Sequence, residues 1–309
     1  MKKNKIKDTG LEVTELSFGT SSLGSMPDTY GYEVPEQRAQ ETLKRFFQGP
    51  VNMLDTSRNY AMGESEKRIG IAIKENGGWP ENFILSTKID RNMETLVLDK
   101  KRTRESIEES LKTLNVDSVD ILFLHDPEYV KDVNDVTKKD GALDELFKIK
   151  EEGLAKAVGL AMGKINIMFP ILKNWDFDVI INHNRYTLLN READEMYSYA
   201  HSKNISIFNA APYAGGVLAK GPSNFKKITY QDVTEEKLAP AREIEKVCKK
   251  YNVEMGAAAL QFSMKDKRIT STLCGVTSVQ SIEKNLSWAQ TSIPDKFWKE
   301  LLKLSLIHI

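Results

Sequence analysis

Short apolar runs rich in Val, Ile, Leu and Phe recur from end to end of the chain, and between them the apolar residues fall at helical spacing. The runs predict strands over residues 16–20, 51–55, 83–88, 119–125, 155–160, 179–182, 206–209 and 272–276. The intervening periodicity predicts amphipathic helices over 36–48, 65–75, 103–114, 143–152, 192–202, 241–251 and 278–289, with a less regular helical segment over 165–173. Strands that each lead into a helix define an α/β chain whose parallel strands close into a (β/α)8 TIM barrel, with its chemistry at the C-terminal strand ends. The competing architecture is an open doubly wound sheet, which announces itself by Gly-x-Gly-x-x-Gly after the first strand. Phe18-Gly19-Thr20-Ser21-Ser22-Leu23-Gly24 lacks that spacing, so the barrel is preferred.

Ahead of the first strand, residues 2–13 read as a hairpin turning at Asp8-Thr9-Gly10, placed to plug the far end of the barrel. Three connections, 23–35, 127–140 and 212–234, are longer than joining requires. All three leave C-terminal strand ends and therefore surround one mouth, with Met26, Tyr30, Tyr32 and Tyr129 as candidate walls. No linker-like stretch interrupts the chain, so 1–309 is read as one domain. Leu304-Ser305-Leu306-Ile307-His308-Ile309 is apolar without polar relief and is read as a truncated or non-native tail.

The stretch Asn52-Met53-Leu54-Asp55-Thr56-Ser57-Arg58-Asn59-Tyr60 passes from buried strand to polar loop and sets a carboxylate and a phenol at a strand end. Phe83-Ile84-Leu85-Ser86-Thr87-Lys88 delivers an ammonium in the same way, and the run ending at His125 delivers an imidazole. Taken singly, Asp55 could cap loop amides, Tyr60 anchor a loop, Lys88 sit in solvent and His125 bond to backbone. Their arrival together at successive strand ends is what argues for a proton-transfer site. A phenol with an ordinary pKa of about 10 is a poor base near neutrality, and the Lys88 ammonium is expected to draw it down while Asp55 keeps Lys88 charged. His125 would donate a hydrogen bond that orients a substrate oxygen. No side chain accepts a hydride, so redox chemistry here needs a cofactor; without one, the same groups suit isomerisation or hydration.

Composition narrows the field. The 309 residues are an ordinary length for one barrel, and 44 basic residues balance 44 acidic ones, so no bulk field favours nucleic acid or an anionic membrane. Met1-Lys2-Lys3-Asn4-Lys5 is basic, but residues 6–18 are too polar for the apolar core of a signal peptide, and no apolar run approaches the roughly 20 residues that span a bilayer. A soluble, cytoplasmic protein is expected, with Cys248 and Cys274 as reduced small hydrophobes. Gly159-Leu160-Ala161-Met162-Gly163-Lys164 only superficially resembles a phosphate loop, because its glycines are too close and Ile165 replaces Ser or Thr. His183 and His201 have no metal-ligand spacing with the cysteines, so no metal is expected, and Lys138-Lys139-Asp140 reads as a solvated loop. Oligomeric state leaves no mark on the sequence.

The order of motifs resembles the aldo-keto reductases over nearly the whole chain. Leu54-Asp55-Thr56-Ser57-Arg58-Asn59-Tyr60 with Gly63-Glu64-Ser65-Glu66, then Ser86-Thr87-Lys88, then Leu124-His125, is similar to that family's Asp, Tyr, Lys and His tetrad. More narrowly, Val119-Asp120-Ile121-Leu122-Phe123-Leu124-His125-Asp126-Pro127, Arg185-Tyr186-Thr187-Leu188-Leu189 and Asn209-Ala210-Ala211-Pro212-Tyr213 look like its aldose 1-dehydrogenase branch. Ala241-Arg242-Glu243-Ile244-Glu245 and Ala257-Ala258-Ala259-Leu260-Gln261-Phe262 fit the same branch, which includes D-threo-aldose (L-fucose) and galactose dehydrogenases.

The resemblance implies NAD or NADP as cofactor and a small sugar or aldehyde as substrate. C1 of a cyclic sugar would lose a hydride while Tyr60 takes the hydroxyl proton, leaving a lactone; in reverse, Tyr60 is the acid of aldehyde reduction. The runners-up are an NADPH-dependent reductase of general aldehydes and ketones, and a non-catalytic nucleotide-binding regulatory subunit. The resemblance also implies cofactor contacts at Asp55, His183, Ala211, Pro212, Tyr213, Gly215, Leu218, Gly275, Thr277, Ser278 and Asn285. It departs from the broad family at three places: Ala161-Met162-Gly163 replaces Ser-Asn, His183 falls near the usual Gln, and Ala210 replaces the stacking aromatic. Ser281 falls near the Arg expected to hold a 2′-phosphate, so NAD is expected ahead of NADP, with Lys284 the alternative cation.

Overall fold

A computed structural model describes residues 1–305. Residues 306–309, most of the suspected tail, lie outside the described residues, whereas Leu304 and Ser305 end a helix, Asp295–Ser305.

Strands apolar on both faces need cover on both, which a barrel wrapped in helices provides. A hairpin of β1 (Lys3–Lys5) and β2 (Glu12–Thr14) precedes β3 (Leu16–Gly19), β4 (Met53–Asp55), β5 (Ile84–Ile89), β6 (Val119–His125) and β7 (Ala155–Met162). β8 (Val179–His183) and β9 (Ser206–Ala210) follow, then a ribbon of β10 (Lys227–Ile228) and β11 (Gln231–Asp232), and β12 (Ser271–Gly275). β3 to β9 and β12 form a closed barrel, β12 pairing in parallel with both β9 and β3. The expected strands are all present. The stretch resembling a phosphate loop is largely strand β7, which runs on through Ala161 and Met162.

Side chains alternate faces along a strand, and this decides where the site lies. The outward set, including Phe18, Leu54, Leu85, Leu122, Val158, Ile180 and Ile207, packs beneath the helices. The inward set is Met53, Ile84, Ile121, Phe123, Ala157, Val179, Ile181, Phe208 and Leu273, joined from below by Ile6 and Val13 of the hairpin. The hairpin is therefore the plug expected of it, with Asn4 opposite Val13 in its register. Gly159 faces inward as well, since a Cβ there would lie 2.5 Å from the Phe123 ring that fills the lumen. Two residues further along each strand, the inward positions are Asp55, Ser86, His125, Ala161, His183, Ala210 and Gly275, with Lys88 one pleat above Ser86.

The helices differ from expectation at several places, and the strongly amphipathic helix Asp295–Ser305 was not foreseen although its period was there to read. Met255–Met264 was not foreseen because it is buried on every side from Met255 to Ser263 and shows no polar face. Glu235–Tyr251 begins six residues before the expected 241, capped by Thr234 and accommodating Pro240. The three long connections carry small elements of their own: a helix Pro27–Tyr30, a helix Asn134–Thr137, and a helix Val217–Lys220 followed by the β10–β11 ribbon.

Candidate active site

Asp55 pairs in register with Ser86, and both face inward below Lys88. The Lys88 ammonium donates to Asp55 Oδ2 at 2.6 Å and to the Thr56 carbonyl at 2.6 Å, while Ser86 Oγ donates to Asp55 Oδ1 at 2.8 Å. Asp55 is thus the counter-charge of a buried ammonium and not a cap for loop amides. The Tyr60 ring lies with its centroid 4.6 Å from Lys88 Nζ and meets the His125 ring edge-on, centroids 5.8 Å apart. The four expected residues converge on one cavity of about 320 Å³, within the usual range for small-molecule sites.

The electrostatics correct one expectation. Burial first, and then the Asp55 carboxylate, push the Tyr60 phenol well above its ordinary value, where a neighbouring ammonium was expected to lower it. Lys88 is already committed to Asp55 and Thr56. The chain by itself holds Tyr60 as a proton donor.

Sequence reasoning missed what orients His125. Asp90, two residues beyond Lys88 and hence on the same face, accepts from His125 Nδ1 at 2.7 Å through Oδ1. Its Oδ2 accepts from Ser57 Oγ at 2.5 Å and from the Asn59 amide at 3.0 Å. The Lys88-Ile89-Asp90 spacing was the available signal. Held at Nδ1, the ring turns Nε2 away from Asp90, where Asp126 Oδ2 lies 3.6 Å away. Burial opposes the imidazolium, but Asp126 and Asp90 outweigh it and hold His125 above its usual range. Burial likewise works to raise Asp126, yet His125, His183 and Arg91 bring it down to about 2.

The turn delivering Tyr60 is tight: Ala61 and Met62 take left-handed φ of 51° and 55°, and Gly63 follows at 94°. Its left-handed φ favours the glycine of the signature, and a side chain there would also have to displace the Arg58 guanidinium, whose Nη1 lies 1.9 Å from where a Cβ would stand. Glu66 of the same signature is fully buried and accepts from Thr87 Oγ1 at 2.6 Å, tying the helix Glu64–Glu75 to the strand that carries Lys88. Burial, opposed by the Thr87 and Ser110 hydroxyls and Arg58, pushes the Glu66 carboxyl up to about 7. A raised carboxyl costs stability progressively as pH climbs from its unfolded value to its folded one, and the cost then stays constant. Glu66→Gln is therefore expected to stabilise the protein by about 2–3 kcal/mol at pH 8 and hardly at all at pH 4.5, read from urea unfolding at the two pH values.

Strand ends supply most of the cavity wall, and of the three long connections 23–35 and 212–234 add to it whereas 127–140, against expectation, does not. Tyr30 and Tyr32 border it as expected, but Met26 does not, and Tyr129 stands half-exposed between Arg91 and Lys164. Unforeseen walls are Lys220, Phe225 and Tyr230, the last meeting Tyr30 edge-on at 5.7 Å. Thr229 and Tyr230 form the ribbon turn with left-handed φ of 50° and 68°, seated on Gly215, where a Cβ would lie 2.7 Å from the Tyr230 amide.

Of the expected cofactor residues, Asp55, His183, Ala211, Tyr213, Gly215, Gly275 and Thr277 border the cavity. Leu218 is packed in the outer core, and Pro212, Ser278 and Asn285 lie off the cavity wall. Asn285 is spent internally, accepting from Tyr213 at 2.5 Å and donating to the Ser281 carbonyl at 2.7 Å. His183 packs against Gly163, where a Cβ would lie 2.8 Å from its ring, whereas Asn182 turns outward to the Met162 carbonyl. The residues present fit a nicotinamide nucleotide. Gly19, Ala161, Ala210, Ala211 and Gly275 make a wall of small side chains beside Tyr60 and His125, open to a flat ring. Lys220, on the rim, forms no ion pair with a carboxylate among the described residues and lies 4.3 Å from the Phe225 ring, a free cation for a pyrophosphate.

The Aldo/keto reductase family model matches residues 15–305, and the chain belongs to that family. It is an NAD(P)-dependent oxidoreductase of the (β/α)8 type. Among curated relatives it is 31% identical to L-galactose dehydrogenase of Arabidopsis thaliana, over 91% of this chain and 85% of that enzyme. It is 26% identical to D-threo-aldose 1-dehydrogenase of a Pseudomonas species, over 96% of each chain. The holo form of an aldo-keto reductase from Bacillus halodurans superposes with a TM-score of 0.81 at 22% identity, covering 98% of this chain and 96% of that one, a likeness of fold. Among the described residues no helix is long and apolar enough to cross a membrane.

Proposed function

We propose that the protein oxidises an aldose at C1 to a lactone in the cytoplasm, with NAD favoured over NADP. The observation that carries this reading is the convergence of the Tyr60 phenol and the His125 imidazole, ring centroids 5.8 Å apart, over a cavity walled on one side by small residues. Gly19, Ala161, Ala210, Ala211 and Gly275 would hold a nicotinamide, which would supply the hydride acceptor that no side chain offers. His125 donates to the substrate oxygen from Nε2, its other nitrogen being held by Asp90. Tyr60 exchanges the hydroxyl proton, and Lys88 with Asp55 holds the tyrosine in place from below. Asp126, kept ionised, and His183 border the same cavity and suit the further hydroxyls of a sugar better than the tail of a simple aldehyde. The L-galactose and D-threo-aldose dehydrogenases among the relatives support the same substrate class.

Because burial and Asp55 favour the protonated phenol, oxidation, which needs Tyr60 as base, is expected to accelerate as pH rises, while aldehyde reduction, for which Tyr60 stays protonated, holds level over the same range as far as Tyr60 governs it. The deciding assay follows reduced-nicotinamide absorbance at mildly alkaline pH with L-fucose, L-galactose and D-arabinose, NAD and NADP being supplied separately. Reduction of cofactor by one sugar supports the reading. Silence with all sugars, together with consumption of NADPH by simple aldehydes, replaces it with a general reductase. Silence in both directions, with nucleotide still bound, leaves a regulatory subunit.

A further inference from the structure

If the cavity at Tyr60 holds the nicotinamide of a dinucleotide, the reading on which this inference rests, the adenosine end needs a place of its own. A second cavity, of about 220 Å³, is bordered by Lys220, Gly221, Glu254, Gly256 and Trp288. Lys220 borders both cavities, so the two adjoin there, and Gly275 and Thr277 border the first. The helix Val279–Gln290 begins two residues after Thr277, and its Trp288 borders the second. Just ahead of its first turn, the amides of Thr277 and Ser278 donate to Ser281 Oγ at 2.9 and 3.0 Å. Ser281 therefore brings no cation and also occupies donors that a phosphate would want. Lys284, one turn on, is the next cation on the helix. Its ammonium lies 2.6 Å from Glu254 Oε2 and 5.2 Å from the centre of the Trp288 ring. Of the neighbouring charges, Lys249 is paired with Glu245 and Glu283 with Arg45.

We propose that Glu254 is the residue that selects a nicotinamide nucleotide without a 2′-phosphate. It neutralises Lys284, the one cation of the helix Val279–Gln290, so that ammonium is not free for a 2′-phosphate beside the second cavity, and Lys220, at the junction of the two cavities, is left for the pyrophosphate. Both partners are about half exposed, 49% for Lys284 and 59% for Glu254. Such a pair adds little to stability, so its removal leaves the fold intact. An ammonium freed to meet a phosphate dianion in a solvated site is worth on the order of tenfold in affinity.

The test reads binding, not turnover. Binding is read by quenching of tryptophan fluorescence as NADH or NADPH is titrated into the full-length chain, Trp288 beside Lys284 being one of its four tryptophans. Wild type is expected to bind NADH about tenfold more tightly than NADPH. Glu254→Gln should bring the two near parity by tightening NADPH, and adding Lys284→Met should reverse that gain. Adenosine 2′,5′-bisphosphate against 5′-AMP should repeat the pattern without the nicotinamide. Equal wild-type affinities, an unchanged ratio in Glu254→Gln, or equal weakening of both nucleotides would overturn the assignment. If neither nucleotide binds folded wild-type protein, the nucleotide-binding reading fails and this one with it.

Discussion

Tyr60→Phe is expected to lower kcat by about a thousandfold in both directions while leaving nucleotide affinity within about twofold, because a positioned proton donor contributes 10²–10⁴ and nothing else is removed. The phenyl ring retains the edge-on contact with His125 and its place above Lys88, so the cavity keeps its shape. Losing the hydroxyl also relieves the burial of a polar group, and the variant should be at least as stable as wild type. The decisive pair of measurements is single-turnover rate and nucleotide Kd on the same preparation. Near-wild-type turnover would remove Tyr60 from the chemistry. Loss of binding alongside loss of rate would make it a wall of the site and not its acid.

Lys88→Met should be the most damaging single change to stability, by about 3–5 kcal/mol, since it leaves the Asp55 carboxylate buried without its cation. Both side chains are 2% exposed, so water cannot take over the lost role. Ser86 still donates to Asp55, but one hydroxyl does not replace an ammonium that also satisfies the Thr56 carbonyl. Asp55→Asn should cost less, because an amide can still accept from Lys88. Combining the two should recover part of the loss, giving a coupling of about 2 kcal/mol in a double-mutant cycle measured by urea unfolding. Strictly additive losses would mean that the pair is not coupled in the way its 2.6 Å contact implies.

Much of the fold was legible because strand and helix periods alternate without interruption, and a period of two then sorts each strand into inward and outward faces. That is why Asp55, Lys88 and His125 could be placed at one mouth from their positions alone. Asp90 was equally within reach, two residues after Lys88, yet its role emerged only when His125 and Ser57 arrived beside it from other parts of the chain. The helix Met255–Met264 was not legible, since full burial erases the polar face by which a helix is recognised. Tyr230 and Phe225 belong to a connection whose length marked it as important, but no pattern within it said which side chains would turn inward.

The order of elements, the faces of the strands and the identity of the reacting groups are local properties, and this sequence determines them by itself. The direction in which Tyr60 titrates is not local: it sums the burial of one phenol with carboxylates brought from several strand ends, and the structure reverses the sign expected from Lys88 alone. The pairing of Lys284 with Glu254 is of the same kind, joining residues 30 positions apart that no spacing rule connects. Tertiary structure decides such quantities because electrostatic energy depends on distance and solvent access, and neither is fixed until the barrel closes.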